Sequence, residues 1–156
     1  TVLIQAIKNE IDLPIIAAGG IVNGIGMASA FAAGAEAIQM GTRFVSSIES
    51  PVHDNFKNSI KSAGTDGTYI LNKSSKPVIR ALKTELTKDI FEKGSMSMGD
   101  LAKIKDLYFG GDMNAAPALA GQSSGLINEI KSVKNIINET ISEYNEVCLS
   151  LSKNLF

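Results

Sequence analysis

The sequence has few of the residues that most often signal a specialised chemistry. Its 156 residues include one cysteine, one histidine and no tryptophan, and only 6% are aromatic. The single Cys148 excludes an intrachain disulfide and favours a reducing cytoplasm, and the lack of a Cys/His cluster excludes a zinc site built by the chain. Neither charge is in excess, since the sequence has 15 Lys and Arg residues and 16 Asp and Glu residues. This balance argues against a nucleic-acid binder that works by bulk positive charge.

The residues that are present describe a globular protein. The apolar fraction is 44% and the charged fraction 20%, which is unlike a disordered chain. Residues 1–11 are typical of a helix already under way, so we expect the chain to start inside a larger protein. An uncharged run of 23 residues, Leu13–Ala35, has the length of a transmembrane helix. Pro14 and the glycines of this run would interrupt such a helix, so we predict no membrane span.

The same run predicts alternating elements of secondary structure. A strand is expected over 13–18, a glycine-rich turn over 19–24, a helix over 26–34 and a second strand over 37–40. Asn23 can cap the helix, and Gly34 can end it in the left-handed conformation. The first strand is apolar on both faces, which is typical of a parallel strand covered on each side. Residues 1–42 therefore predict a helix–strand–helix–strand order and a parallel α/β fold.

Further helices and one more strand are predicted downstream. Helices are expected over 51–63, in the middle of 78–91, over 100–109 and over 133–151. A short strand or extended piece is expected over 68–71, a loop over 72–77, and a loop or a tightly packed segment over 114–125. The last helix is the longest, and its apolar residues recur at helical spacing along one stripe. Cys148 lies on that stripe, so we expect a buried, unreactive thiol.

Two glycine turns carry the chemistry that the sequence indicates. Gly19-Gly20 and Gly41-Thr42 each follow a predicted parallel strand, one βα unit apart. Glycine lets the backbone approach an anion and aim N–H groups at it, and the N-terminus of the helix over 26–34 adds a positive dipole end. Thr42 can add a hydroxyl hydrogen bond. In (β/α)8 barrels a phosphate commonly lies between two successive loops of this kind, although one such turn alone is often only a tight turn.

The residues around these turns resemble the nitronate monooxygenase family, formerly called 2-nitropropane dioxygenases. That family also includes the flavin-dependent enoyl-acyl-carrier-protein reductases of type II. The resemblance rests on LPIIAAGGIVNGIGMASAFAAGAEAIQMGTRFVSSIES, with its A-x-G-G-I and Q-x-G-T-R-F patterns. It continues, in the family's order, in SPVHDNFKNSI, KPVIRALKTELT and ALAGQSSGLINEIKSVKNII. These motifs cover most of the chain.

The resemblance implies an FMN-dependent TIM-barrel oxidoreductase and assigns residues to its cofactor. By carry-over from the family, the FMN phosphate is held by Gly19 and Gly20 at one turn and by Gln39, Met40, Gly41 and Thr42 at the other. The AGQ motif makes Gln122 a secondary candidate for the flavin pocket. The family's active-site histidine, in an E-A-G-G-H-type segment, is expected before Thr1, so no catalytic residue is assigned in this chain.

The length of the chain limits the fold that the resemblance implies. A complete (β/α)8 barrel needs about 250 residues, so we expect the C-terminal portion of a barrel, its last βα units, with a helical C-terminal subdomain. Residues 1–50 are expected to form the last βαβ part of the FMN-binding barrel. Residues 51–156 are expected to form the family's C-terminal extension and terminal helices.

Two polar residues invite other interpretations. His53 is the default acid–base candidate, but its place at the start of a predicted helix favours a surface residue without a catalytic role. Arg43 either neutralises a phosphate or pairs with Glu36 or Glu49, and the sequence favours neither interpretation.

The reaction that the resemblance implies has two forms. We favour flavin oxidation of alkyl nitronates by molecular oxygen, because SPVHDNFKNSI is slightly nearer to the monooxygenase branch. The alternative is NAD(P)H-dependent reduction of an enoyl thioester, and a second alternative is a truncated chain without activity. The expected partners are a small-molecule substrate, NAD(P)H in the reductase case and a second copy in a homodimer. Neither nucleic acid nor a membrane is expected.

Overall fold

The computed structural model describes residues 2–153 apart from the side chain of Met98. The chain divides into two compact units. We term them the terminal unit, which contains Thr1–Gly41 and Lys131–Phe156, and the central unit, which contains Thr42–Ile130.

The terminal unit has a parallel α/β architecture. Along the chain it contains helix α1 (Val2–Glu10), strand β1 (Ile16–Ala18), helix α2 (Gly24–Ala32), strand β2 (Ala37–Gln39) and helix α7 (Val133–Ser152). The two strands pair in parallel, with Ile16 opposite Ala37 and Ala18 opposite Gln39. The element order and the parallel α/β fold predicted for residues 1–42 are therefore confirmed.

Local sequence sets the limits of α2. The side chain of Asn23 accepts a hydrogen bond from the backbone N–H of Gly26 at 3.0 Å, which satisfies one of the donors that a first helical turn leaves free. At the other end Gly34 has a φ of +106°, which turns the chain towards β2. Both predictions are confirmed, and the helix begins at Gly24, ahead of the predicted residue 26.

One face of the parallel pair carries the core of the terminal unit. Ile15 and Ala17 are buried together with Ala30 of α2, and the isoleucines of α1 pack against them. The other face contradicts the prediction that β1 is covered on each side, because Ile16 is 63% exposed. The reason is that α1 and α2 both lie on the Ala17 side. The strand is also shorter than the predicted 13–18, since Pro14 cannot donate to a strand ladder.

Helix α7 packs against α2 at a glycine. A Cβ added to Gly24 would lie 2.5 Å from the carbonyl oxygen of Thr140 and would collide with the backbone N of Tyr144. Only glycine permits this approach. Phe31 of α2 then meets Tyr144 edge to face, with the ring centroids 5.4 Å apart.

The apolar stripe of α7 is only partly covered. Ile136 and Thr140 are buried, whereas Ile141 is 47% and Leu151 is 60% exposed. Cys148 is exposed as well, so the prediction of a buried thiol is wrong. The physical reason is length, because α7 has 20 residues and its neighbour α2 has 9. A stripe at helical spacing shows which side of a helix is apolar, but it does not show how many turns are covered.

The central unit is built from short elements. They are helices α3 (Thr42–Val45), α4 (Asp54–Ser62), α5 (Glu85–Lys93) and α6 (Ile104–Tyr108), strands β3 (Thr68–Leu71) and β4 (Ile79–Leu82), and 3-10 turns at Met98–Leu101 and Gln122–Leu126. The two strands form an antiparallel hairpin with Tyr69 opposite Ala81. Phe56 and Ile60 of α4 are fully buried, as the predicted amphipathic helix requires.

Two predictions for the central unit are only partly right. The first part of 78–91 is strand β4, and the helix of this segment starts only at Glu85, after the capping residue Thr84. The segment forms a strand because it finds a partner in β3, which periodicity does not reveal. The helix predicted over 100–109 is divided, since the 3-10 turn ends at Leu101 and α6 begins at Ile104.

The uncharged run over 13–35 does not form one continuous helix. It is divided between β1, the glycine turn and α2. Within residues 2–153, every helix is too short or too polar to span a bilayer.

Candidate functional site

The two glycine turns leave the parallel sheet at the same edge. Ala18 is paired with Gln39, so Gly19 follows β1 at the level where Met40 follows β2. Parallel strands end at one edge of their sheet, and ligands of open α/β sheets bind there. The register therefore brings together five of the residues that the sequence assigned to a phosphate, namely Gly19, Gly20, Gln39, Met40 and Gly41.

The glycines of these turns leave space at the edge of the sheet. Gly19 and Gly20 have φ angles of +97° and +78°, in the left-handed region that other residues rarely adopt. Gly41 has no positive φ. Apart from the adjoining residues of the chain, no described atom lies within 4 Å of a Cβ built on any of the three glycines. The space that side chains would fill is open, which fits a bound group that approaches the backbone closely.

The turns offer free donors at this edge, whereas two of the first-turn donors of helix α2 are already used. In residues 2–153, the backbone N–H groups of Gly20 and Gly41 donate to no protein acceptor. The start of α2 is different, because Gly24 N–H donates to Glu143 Oε2 at 2.7 Å and Gly26 N–H donates to Asn23. The positive helix end that the sequence offered to a phosphate is thus already occupied by a carboxylate of α7.

Thr42 directly follows Gly41 and begins the central unit. Its Oγ1 accepts a hydrogen bond from the backbone N–H of Gly121 at 2.9 Å, which leaves the hydroxyl proton free to be donated. Gly121 stands next to Gln122, whose Nε2 donates to the carbonyl of Thr65 at 3.4 Å. Within the central unit, the AGQ motif is therefore anchored to Thr42.

Arg43 is buried, and its charged side chain binds the backbone of the central unit. It is 7% exposed, and its guanidinium donates to the backbone carbonyl of Glu129 at 2.8 Å. Glu36, one of the two partners considered for it, accepts from Lys8 within the terminal unit at 3.1 Å. The guanidinium ties the start of α3 to the segment before α7.

His53 lies at the start of a helix, as predicted, but it is half-buried and caps α4. Its Nδ1 accepts from the backbone N–H of Asn55 at 3.1 Å at the start of α4, and its ring packs against Gly111. Cys148 contacts the hydroxyl of Tyr144, and this contact raises the pKa of Tyr144. Neither residue belongs to a metal site, because residues 2–153 contain no cluster of three potential metal ligands.

Two features of this region were missed by the sequence analysis. Gly24 is required by the approach of α7, and Glu143 holds the start of α2. The N-G-I-G pattern gives a weak signal for Gly24 as a residue of close packing. Glu143 gives no signal, since it is 119 positions from its partner in the chain.

The comparisons with known proteins begin with a family profile. The profile described as nitronate monooxygenase matches residues 1–143. Among curated proteins, the chain is 35% identical over 96 residues to (3aS,4S,5R,7aS)-5-hydroxy-7a-methyl-1-oxo-octahydro-1H-indene-4-carboxyl-CoA dehydrogenase of Rhodococcus jostii, which covers 62% of this chain and 27% of that protein. It is 41% identical over 58 residues to the nitronate monooxygenase of Paraburkholderia phytofirmans, covering 37% of this chain and 16% of that protein.

Solved structures extend the likeness to nearly the whole chain. FabK from Thermotoga maritima is 36% identical, with a TM-score of 0.91 over 99% of this chain and 51% of FabK. A mutant form of FabK is 40% identical, with a TM-score of 0.88 over 99% of this chain and 49% of the FabK chain. The chain thus has an α/β fold whose solved neighbours are TIM-barrel enzymes. The chain spans about half the length of this solved relative.

Proposed function

The chain belongs to the nitronate monooxygenase family, and on that premise we propose that it is part of an FMN-dependent oxidoreductase. The observation that carries the proposal is the pair of glycine turns at one edge of a parallel sheet. Their free N–H groups and the open space beside Gly20 and Gly41 fit a phosphate held by backbone groups. The enzymes of this family are flavoenzymes, and FMN is the flavin that carries one terminal phosphate.

The residues that would hold FMN are those of the two turns. Gly19 and Gly20 contribute backbone N–H groups from the first turn, and Gln39, Met40 and Gly41 line the second. Thr42 contributes its hydroxyl proton, and Gln122 is retained as a secondary candidate for the flavin pocket. The flavin itself supplies the redox chemistry, and these residues bind and orient it.

For the reaction, we propose oxidation of an alkyl nitronate by molecular oxygen. The family profile and the 41% identity to a nitronate monooxygenase support this reaction. A second candidate is reduction of an enoyl thioester with NAD(P)H. It is favoured by the likeness to FabK, an enoyl-acyl-carrier-protein reductase, because that likeness covers 99% of this chain.

We also propose that the parallel pair is the last part of a TIM barrel. Two observations support this. Ile16 points out of the pair with 63% exposure, and an open groove of about 490 Å³ runs along β1 between residues of α1 and α2. A strand edge with an apolar face is a place where a further strand pairs. The division into a barrel part over 1–50 and an extension over 51–156, a homodimer and a cytoplasmic location stay proposals beside it.

The reaction class is tested by flavin bleaching without oxygen. The complete protein that contains this chain is loaded with flavin and mixed with an alkyl nitronate, with NADH or with NADPH, and the visible flavin absorbance is followed. Bleaching by nitronate alone supports the monooxygenase reaction. Bleaching by NADH or NADPH with reoxidation by an enoyl thioester would establish the second candidate instead. We expect the 156-residue chain by itself to be inactive in both assays.

A further inference from the structure

We propose that Glu143 is a positioning residue that keeps the first glycine turn in the shape that a phosphate requires. This inference rests on the proposed function, because it concerns the same turn and the same ligand group. One contact carries it, namely the hydrogen bond of 2.7 Å from the backbone N–H of Gly24 to Oε2 of Glu143. The bond joins α7 to the start of α2 within the terminal unit.

The contact is held in place from both sides. It is charge-assisted, which makes it stronger than a neutral hydrogen bond. Gly24 is buried and Glu143 is half-buried, so water does not compete freely for either atom. The backbone of α7 lies directly against Gly24, at Thr140 and Tyr144, and Thr140 is only 6% exposed. The carboxylate therefore has a fixed position and is not a freely moving surface group.

The contact matters for the first glycine turn because that turn connects β1 to the start of α2, where Glu143 binds. Gly19 and Gly20 have positive φ angles, and glycine has more backbone conformations open to it than any other residue. The turn is held at its start by the pairing of Ala18 with Gln39. At its end it is held by Val22, which is 6% exposed, and by the start of α2. Fixed ends select one conformation of a glycine turn, and Glu143 fixes the second end.

Glu143 also decides which donors a phosphate meets. Together with Asn23, it uses the N–H groups of Gly24 and Gly26 in the first turn of α2. With two first-turn donors of α2 used in this way, a phosphate at this edge relies more on the N–H groups of the glycine turns. The conformation of the turn consequently has a larger effect on phosphate affinity here than at a site where a helix end supplies the donors.

The experiment compares the binding of FMN and riboflavin, which differ by the phosphate. If Glu143 had only a structural role, its loss would weaken the binding of both ligands equally. The measured quantity is therefore the ratio of the two dissociation constants. For Glu143→Ala we expect the preference for FMN to fall about tenfold, the loss typical of one hydrogen bond to a charged group. Glu143→Gln keeps an acceptor oxygen and should restore the preference. The matched control is Glu146→Ala, an exposed carboxylate on the same helix, which should leave the preference unchanged.

A second readout follows the backbone itself by NMR. Glu143→Ala should accelerate amide hydrogen exchange at Gly24 and shift the amide signals of Gly19 and Gly20, whereas Glu146→Ala should do neither. If Glu143→Ala does not fold, Glu143→Asp withdraws the carboxylate by one methylene and should change the same signals in the same direction. An unchanged FMN preference together with unchanged Gly19 and Gly20 signals overturns the proposal. A wild-type chain that binds riboflavin as tightly as FMN refutes the phosphate site alone, and the NMR measurement then decides the role of Glu143.

Discussion

The two turns at the edge of the parallel sheet contain glycine for different reasons. At Gly19 and Gly20 the backbone itself demands it, since φ angles of +97° and +78° are costly for any residue with a Cβ. At Gly41 the backbone makes no such demand, and no described atom would touch a Cβ placed there. A glycine that the chain does not need for its own fold is explained by a bound group. The proposed phosphate gives Gly41 that explanation.

An aspartate in either turn should have the largest effect. Its carboxylate would occupy the place of the phosphate and repel its charge, so Gly20→Asp and Gly41→Asp, placed in the complete protein, should both abolish retention of FMN. The flavin absorbance of the desalted protein measures this. Gly41→Asp should keep its far-ultraviolet circular dichroism, because the fold does not need glycine there. Full flavin occupancy in either variant would show that the turns do not bind the phosphate.

Thr42→Ala should lower the affinity for FMN without abolishing its binding. Losing one hydrogen bond to a charged group costs about 1.5–3 kcal/mol of binding free energy. The variant also removes the acceptor of the Gly121 N–H at 2.9 Å, so Thr42→Ser, which keeps the hydroxyl, is the control. Calorimetric titration with FMN measures the difference. Equal affinity of the alanine variant and the wild type would remove Thr42 from the site.

Alanine substitutions should distinguish the two reasons for glycine by their effects on the free energy of unfolding. Gly20→Ala should lower the free energy of unfolding by about 1–2 kcal/mol, the cost of a left-handed conformation for a residue with a Cβ. Gly41→Ala should change it by less than about 0.5 kcal/mol, as for a surface substitution without strain. Denaturant unfolding of both variants provides the measurement. Equal losses would show that the two turns do not differ in the way their φ angles indicate.

The smallest effect is expected at an ion pair within the central unit. Lys83 lies 3.2 Å from Asp66 and lowers the pKa of this exposed carboxyl from its usual 3.8. The pair therefore stabilises the fold above about pH 3.8, and its contribution is lost as the pH falls through the lower folded pKa. Asp66→Asn should reduce stability slightly at pH 7 and leave FMN binding unchanged. Unfolding curves at pH 7 and pH 3 test this, and a loss that is larger at pH 3 would contradict the sign.

Local signals in the sequence predicted those parts of the fold whose cause is local. Asn23 caps α2 because a carboxamide at that position reaches the first-turn N–H groups, and Gly34 ends the helix region because its φ is positive. The strand at the start of 78–91 was missed for the opposite reason. Its first part is a strand only because β3 lies beside it, and the partner is a matter of tertiary structure.

The candidate site shows the same division. The residues of the two turns were found from glycine, strand and spacing, and their identity as a pair followed from the family motifs. Their being level with each other depends on the register of Ala18 with Gln39, which a sequence pattern does not specify. The uses of Arg43 and Thr42 likewise came only from the fold, since each binds a backbone group far along the chain.

The sequence by itself determined the parallel α/β order of residues 1–42, the two glycine turns and the family, because these depend on periodicity, on backbone freedom and on motifs that neighbouring residues carry. The tertiary structure decided which surfaces are covered and which donors are free. In the folded chain Ile16 and Cys148 are exposed, and α7 packs against Gly24. The backbone N–H at the start of α2 donates to Glu143. The physical reason is that burial and hydrogen bonding between distant segments depend on where the whole chain folds, and no single stretch of sequence contains that information.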